Sequence, residues 1–101
     1  MEKNELNRKY ELMAILDGRL PVEEKESIGK NTVEAVTKGG GKIVNSQIWL
    51  DKHKLSFRLK KSNEATYYLV NFEADSSVIP KIEPLLRLNE KILRYLISQV
   101  N

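Results

Sequence analysis

Apolar positions in this chain fall into short blocks with two different periods. Tyr10 to Leu16 is a mostly apolar run, too short for a typical helix, and the Asp17-Gly18 pair behind it signals a turn. It reads as a strand that is apolar on both faces, with Tyr10, Leu12, Ala14 and Leu16 on one and Met13 and Ile15 on the other. Such runs mark central strands. Pro21 then opens a helix from its first turn. Glu23, Glu24 and Glu26 suit the positive end of the helix dipole, and Val22, Ile28, Val33 and Val36 recur at roughly helical spacing. Gly39-Gly40-Gly41 stops the helix with residues that accept positive φ. Gly29 and the β-branched residues make it a mediocre helix that tertiary packing must hold.

Lys42 to Leu50 begins a second strand that continues into Lys52–Lys60. There Lys52, Lys54, Ser56, Arg58 and Lys60 fall on one parity, and His53, Leu55, Phe57 and Leu59 on the other. Successive strand side chains point to opposite faces, so this segment is expected to turn an apolar side to the core and a cationic side outward. The parity changes around Leu50–Asp51, which predicts a bulge. Ser62–Ala65 reads as a hairpin turn and Thr66–Phe72 as the richest strand. Asp75, Ser76 and Ser77 offer capping oxygens to a helix carrying Val78, Ile79, Ile82, Leu85 and Leu86. Pro80 fits its early turn, whereas Pro84 should kink or shorten it. Lys91 to Val100 reads as a last strand, and residues 1–8 as a polar, frayed start.

The predicted order is β-α-β-β-α-β. With right-handed crossovers this is an α+β, ferredoxin-like fold: a four-stranded antiparallel sheet with two helices on one face. A chain of 101 residues with no repeat and no linker is expected to form a single domain over 1–101. The helices leave the other face bare. Met13, Ile15, Tyr67, Leu69 and Leu96 have no cover within the chain, and a contiguous exposed apolar patch marks a partner surface.

Charge and composition refine this picture. Net charge is +3, which permits a nucleic-acid partner without demanding one. The cationic parity of Lys52–Lys60 suits a polyanion such as RNA; it equally suits a solvated strand that lysines protect from edge-to-edge pairing. The absence of cysteine excludes disulfides, thiolate metal sites and cysteine nucleophiles, and a single histidine excludes a histidine-rich metal site. No apolar run approaches the roughly 18 residues of a membrane span, and the charged N-terminus lacks the apolar centre of a signal peptide. A reduced cytosolic setting, with no membrane partner and no cofactor, is the expectation.

No active site is legible. His53 lacks the carboxylate and serine that would make it a general base. Gly39-Gly40-Gly41-Lys42 closes a helix, whereas a phosphate loop opens one. Glu23-Glu24 matches a helix dipole, and Glu73 with Asp75 marks a strand end. The chain is expected not to be an enzyme and to take no small-molecule substrate. Trp49 and Tyr67 suit either base stacking or a packed interface.

Four stretches resemble one known family. They are Arg8-Lys9-Tyr10-Glu11-Leu12, Gly40-Gly41-Lys42-Ile43 leading to Trp49, Lys54-Leu55-Ser56-Phe57-Arg58-Leu59-Lys60, and Leu86 through Arg94. Together they resemble the bacterial small-subunit ribosomal protein S six family over about Arg8 to Val100. The chain departs from the family's Trp-Gly, basic-basic, Leu-Ala-Tyr-Pro-Ile pattern. Leu50-Asp51 replaces the glycine with one extra residue, and Phe57, Arg58 and Leu59 stand for tyrosine, proline and isoleucine. The acidic tail of some members is absent.

The resemblance implies a non-enzymatic role on the platform of the small subunit, binding the central domain of its rRNA together with ribosomal protein S eighteen. Arg8, Lys9, Lys52, His53, Lys54, Arg58, Lys60 and Lys61 are then the candidate RNA contacts. Met13, Ile15, Trp49, Tyr67, Leu69, Arg94 and Leu96 are the candidate partner-protein contacts, on a face inferred from the pattern alone. One rival is a free-standing single-stranded RNA-binding module, which needs stacking aromatics in both central strands and has only Tyr67 well placed. Another is a ferredoxin-like regulatory domain, which needs a polar pocket. The assembly reading rests on helices covering one side of the sheet only, and on Leu55, Phe57 and Leu59 turning inward.

Overall fold

The computed structural model describes residues 7–59 and 61–100. Strand β1 spans Asn7–Asp17, helix α1 Val22–Gly39, β2 Lys42–Leu59, β3 Ser62–Asp75, α2 Ile79–Arg87 and β4 Arg94–Val100. The sheet order is β2-β3-β1-β4 with every neighbouring pair antiparallel. This is the predicted α+β ferredoxin-like arrangement. Asn7 and Arg8, expected to fray, already pair with Asp75 and Ala74; the rest of the frayed start lies outside the described residues.

β1 is central because both its parities are apolar enough to be covered. Tyr10, Leu12, Ala14 and Leu16 are buried against Val70, Phe72 and Ala74 of β3 and against Ile28, Val36, Ile82 and Leu86 of the helices. Each fully buried Leu or Phe contributes about 1.5–3 kcal/mol by leaving water. Tyr10 and Phe72 stack with centroids 5.5 Å apart.

The inner stripe of α1 keeps Ile28 and Val36 of the predicted series, with Val33 partly buried beside it. It runs Lys25, Ile28, Gly29, Thr32, Ala35, Val36 and Gly39, while Val22 is exposed. Small residues occupy it because the helix lies close on the sheet. A Cβ built on Gly29 would sit 2.5 Å from Tyr68 Cζ. Gly29→Ala should therefore destabilise by about 1–3 kcal/mol through overpacking, despite its better helix propensity. Chemical denaturation checks this, and the pair Gly29→Ala with Tyr68→Leu should recover much of the loss. Gly40 ends the helix at φ 113 and its N–H reaches the Thr37 carbonyl, so the glycines form the expected C-cap.

Three local expectations are corrected. Pro21 precedes α1 as its N-cap residue. Asp75 and Ser77 bond each other (Ser77 Oγ to Asp75 Oδ2, 2.7 Å), and no side chain caps α2, which follows a 3₁₀ turn at Ser76–Val78. The hairpin turn precedes Ser62, where β3 starts, because the Ser62 hydroxyl accepts the Glu64 N–H and donates to its carbonyl. Pro84 stays within α2, on its exposed side, in a helix of only nine residues.

Candidate nucleic-acid and partner interface

Sheet register defines the open face row by row. Met13 lies between Leu96 and Leu69, and Ile15 between Arg94 and Tyr67. Leu69 continues to Gln47 and Tyr67 to Leu50 on β2. The next row is polar: Glu11 between Ser98 and Asn71, with Asn71 Nδ2 donating to Asn45 Oδ1 at 2.8 Å. Trp49 joins the face by an edge contact with Tyr67, centroids 6.1 Å apart. All seven residues predicted for partner docking thus share one side of the sheet, opposite both helices, and Leu96 is 63% exposed.

The basic segment departs from its prediction. β2 slips against β3 at Ile43/Asn45, Ile48/Leu50, Leu50/His53 and Lys54/Leu59, so its alternation does not map onto two faces of one flat sheet. The bulge foreseen at Leu50–Asp51 is present, and Lys52 takes a left-handed φ of 51° beside it. Leu55, Phe57 and Leu59 do not enter the core: Phe57 is 57% exposed, and the two leucines are half-buried. The physical reason is reach. β1 stops pairing at Asp17↔Ala65, opposite His53, so the hairpin beyond that point has neither β1 nor a helix behind it.

The RNA candidates are not gathered in one place. Lys52, His53, Lys54, Arg58 and Lys61 are exposed on the hairpin, and Lys60 lies outside the described residues. Arg8 and Lys9 sit at the opposite end of β1. At about 3.4 Å per residue, Lys9 is roughly 27 Å from Asp17, the hairpin end of that strand. Lys9 projects on the open face between Glu73 and Val100, while Arg8 has the helix-side parity.

One element was not read from the sequence. Lys25 is 1% exposed, and its Nζ donates to Asp51 Oδ1 at 2.7 Å; Thr66 Oγ1 donates to the same oxygen at 2.8 Å. The Lys52 N–H in turn donates to Thr66 Oγ1 at 3.3 Å. The bulge is thereby tied to α1 across the sheet margin. The Lys25 ammonium, followed by the Thr66 hydroxyl, holds the Asp51 carboxyl below its ordinary pKa. At the base of the hairpin Arg19 clamps Asp17 with three N–H donors and lowers its pKa to about 2.

No group of three or more carboxylates and histidines among the described residues is placed to hold a metal. Glu24 of the acidic pair in α1 instead bonds Lys91. A groove of about 650 Å³ lies between the helices, lined by Ile28, Ala35, Leu86 and Ile92 with Glu24 and Lys91 at its rim. No helix among the described residues is long and apolar enough to cross a membrane.

An α+β sheet with one bare apolar face and a basic hairpin margin is the form of a protein that docks onto larger molecules. The family model described as "Ribosomal protein S6" matches residues 9–99, and the chain belongs to that family. It is 36% identical over 87 residues to the small ribosomal subunit protein bS6 of Micrococcus luteus, spanning 86% of this chain and 85% of that protein. It is likewise 36% identical over 94 residues to bS6 of Thermoanaerobacter pseudethanolicus, spanning 93% of this chain and 98% of that one. The crystal structure of 30S ribosomal protein S6 from Thermotoga maritima shares the fold with a TM-score of 0.80 and 24% identity, covering 93% of this chain and 88% of that one. The chain is a structural protein of the small ribosomal subunit, located on that subunit in the cytoplasm.

Proposed function

We propose that this chain, acting as a single domain, binds the central domain of small-subunit rRNA jointly with ribosomal protein S eighteen. One observation carries the reading: the row Leu96–Met13–Leu69 is apolar, contiguous and uncovered, on a sheet whose other face is filled by its own helices. A protein partner supplies the missing cover, and Ile15, Tyr67, Trp49 and Arg94 extend its seat. The exposed cations of the hairpin position RNA phosphates, contacts that fix register without reading bases. Arg8 and Lys9, at the far end of β1, require a second, separate stretch of RNA. A non-catalytic role accords with the family, and the reading needs no cofactor.

The test is reconstitution with central-domain rRNA in the presence and absence of ribosomal protein S eighteen. Tight binding is expected only when both proteins are present. Leu69→Glu with Leu96→Glu should lower affinity for the partner by about 100-fold or more, since a carboxylate desolvated without a partner costs several kcal/mol. An unchanged partner affinity removes the open face from the assembly.

A further inference from the structure

The open face has two halves of different chemistry. The row Leu96–Met13–Leu69 is aliphatic. Beside it, Tyr67 stands between two other rings: Trp49 at 6.1 Å and 88°, and His53 at 5.9 Å and 72°. Trp49 is 53% exposed, and His53 is exposed as well. Edge-to-face contacts of this kind fix a ring while leaving broad π surface unoccupied.

These rings are set among cations. Lys52 precedes His53 at the bulge, and Arg94 shares the cross-strand row of Tyr67. Asp51, the acid next to Lys52, is already bonded to Lys25. Aromatic faces with adjacent unbalanced cations match the two parts of a nucleotide, base and phosphate. A duplex keeps its bases stacked inside and offers only its backbone and shallow groove, so the rings would contribute nothing to binding it.

We infer that Trp49, Tyr67 and His53 form a base-stacking platform for an unpaired RNA segment, with Lys52 and Arg94 holding its flanking phosphates. This rests on the RNA-binding reading above and narrows it to single-stranded nucleotides at the β2–β3 side of the open face. It also moves Trp49, Tyr67 and Arg94 from the protein contact to the RNA contact.

Trp49 is the only tryptophan in the chain, so its emission reports the site directly. The full-length chain should be titrated with single-stranded oligouridine and, separately, with inorganic polyphosphate, which has charge but no bases. Oligouridine is expected to quench Trp49, whereas polyphosphate binds without quenching. Trp49→Leu and His53→Ala should each weaken oligouridine binding by about 10- to 100-fold and leave polyphosphate binding unchanged. Both side chains are exposed, and circular dichroism checks that the variants fold. Lys52→Gln with Arg94→Gln should weaken both ligands.

Equal effects of Trp49→Leu on both polyanions, or no quenching by oligouridine, would overturn the platform. So would a variant that loses only its affinity for a protein partner. Sedimentation of the unaltered chain with the small subunit separates the two readings. If the chain travels with the subunit but is not quenched, the platform fails and the assembly role stands.

Discussion

Replacing Asp51 with alanine is expected to destabilise this protein by about 2 kcal/mol, more than any other exposed carboxylate. Removing one partner of a fully buried ion pair costs about 3–5 kcal/mol, because the remaining charge stays in a medium that cannot solvate it. Lys25 meets that condition at 1% exposure, whereas the Asp51 side chain is 47% exposed and solvent screens part of the attraction. The loss should fall largely on Lys25. Lys25→Met combined with Asp51→Ala should therefore recover most of it, as apolar replacements of buried pairs commonly do. Urea denaturation of the two single variants and the double variant measures the coupling.

The same pair shapes acid stability. The folded-state pKa values of Asp51 and Asp17 lie below the ordinary 3.8, that of Asp17 at about 2. In acid the unfolded chain thus binds more protons than the folded one. The contribution of both groups is complete well above the ordinary 3.8 and is lost as pH falls through their lowered folded-state values, for Asp17 about 2. Asp51→Asn should show a flatter acid limb than the unaltered protein, with Asp17 supplying what remains. An identical slope in the variant would mean that Asp51 titrates alike in both states.

The second large effect concerns RNA. Replacing Lys52, Lys54 and Arg58 together with alanine is expected to weaken rRNA binding strongly and to lower the slope of log affinity against log salt by about 2–3. That is the change expected for three lost phosphate contacts. Because all three side chains are exposed, stability should hardly move. An unaltered salt slope would take the hairpin out of the contact list. Arg8→Ala with Lys9→Ala provides a comparison at the other end of the sheet, where a slope change of about 1–2 is expected if those residues also meet phosphate.

Much of the fold was legible because the strands of this sheet differ in how many of their faces must be apolar. The double parity of Tyr10–Leu16 placed β1 at the centre, and the Gly39–Gly41 stop was plain. The open-face candidates followed from parity alone: given the positions of β1, β3 and β4, Met13, Ile15, Tyr67, Leu69, Arg94 and Leu96 had to share a side.

What failed was inference from alternation where nothing lies behind the strand. Leu55, Phe57 and Leu59 alternate as if over a core, but pattern carries no information about how far the core extends. The end of β1 at Asp17 sets that limit. None of the three enters the core, and the family assignment stands on other ground.

Lys25 was overlooked for a related reason. A lysine on the inner stripe of a helix looks like a phase error until the carboxylate that balances it is known. The signal was available, since Lys25 precedes Ile28, Gly29 and Thr32 by three, four and seven residues, the spacing of one helix face. Its partner, Asp51, stands 26 residues away in the very insertion that separates this chain from the Trp-Gly pattern it resembles.

The repeated slips of β2 also bear on how the chain survives before assembly. Its outer margin is one of the sheet's two free borders, β4 being the other, and there backbone donors and acceptors invite another molecule to add a strand. Four breaks in spacing and a left-handed lysine make that border too uneven to be copied by an incoming strand over more than a few residues. Along this border the free protein is therefore protected from fibrous self-association while the apolar face still awaits its cover.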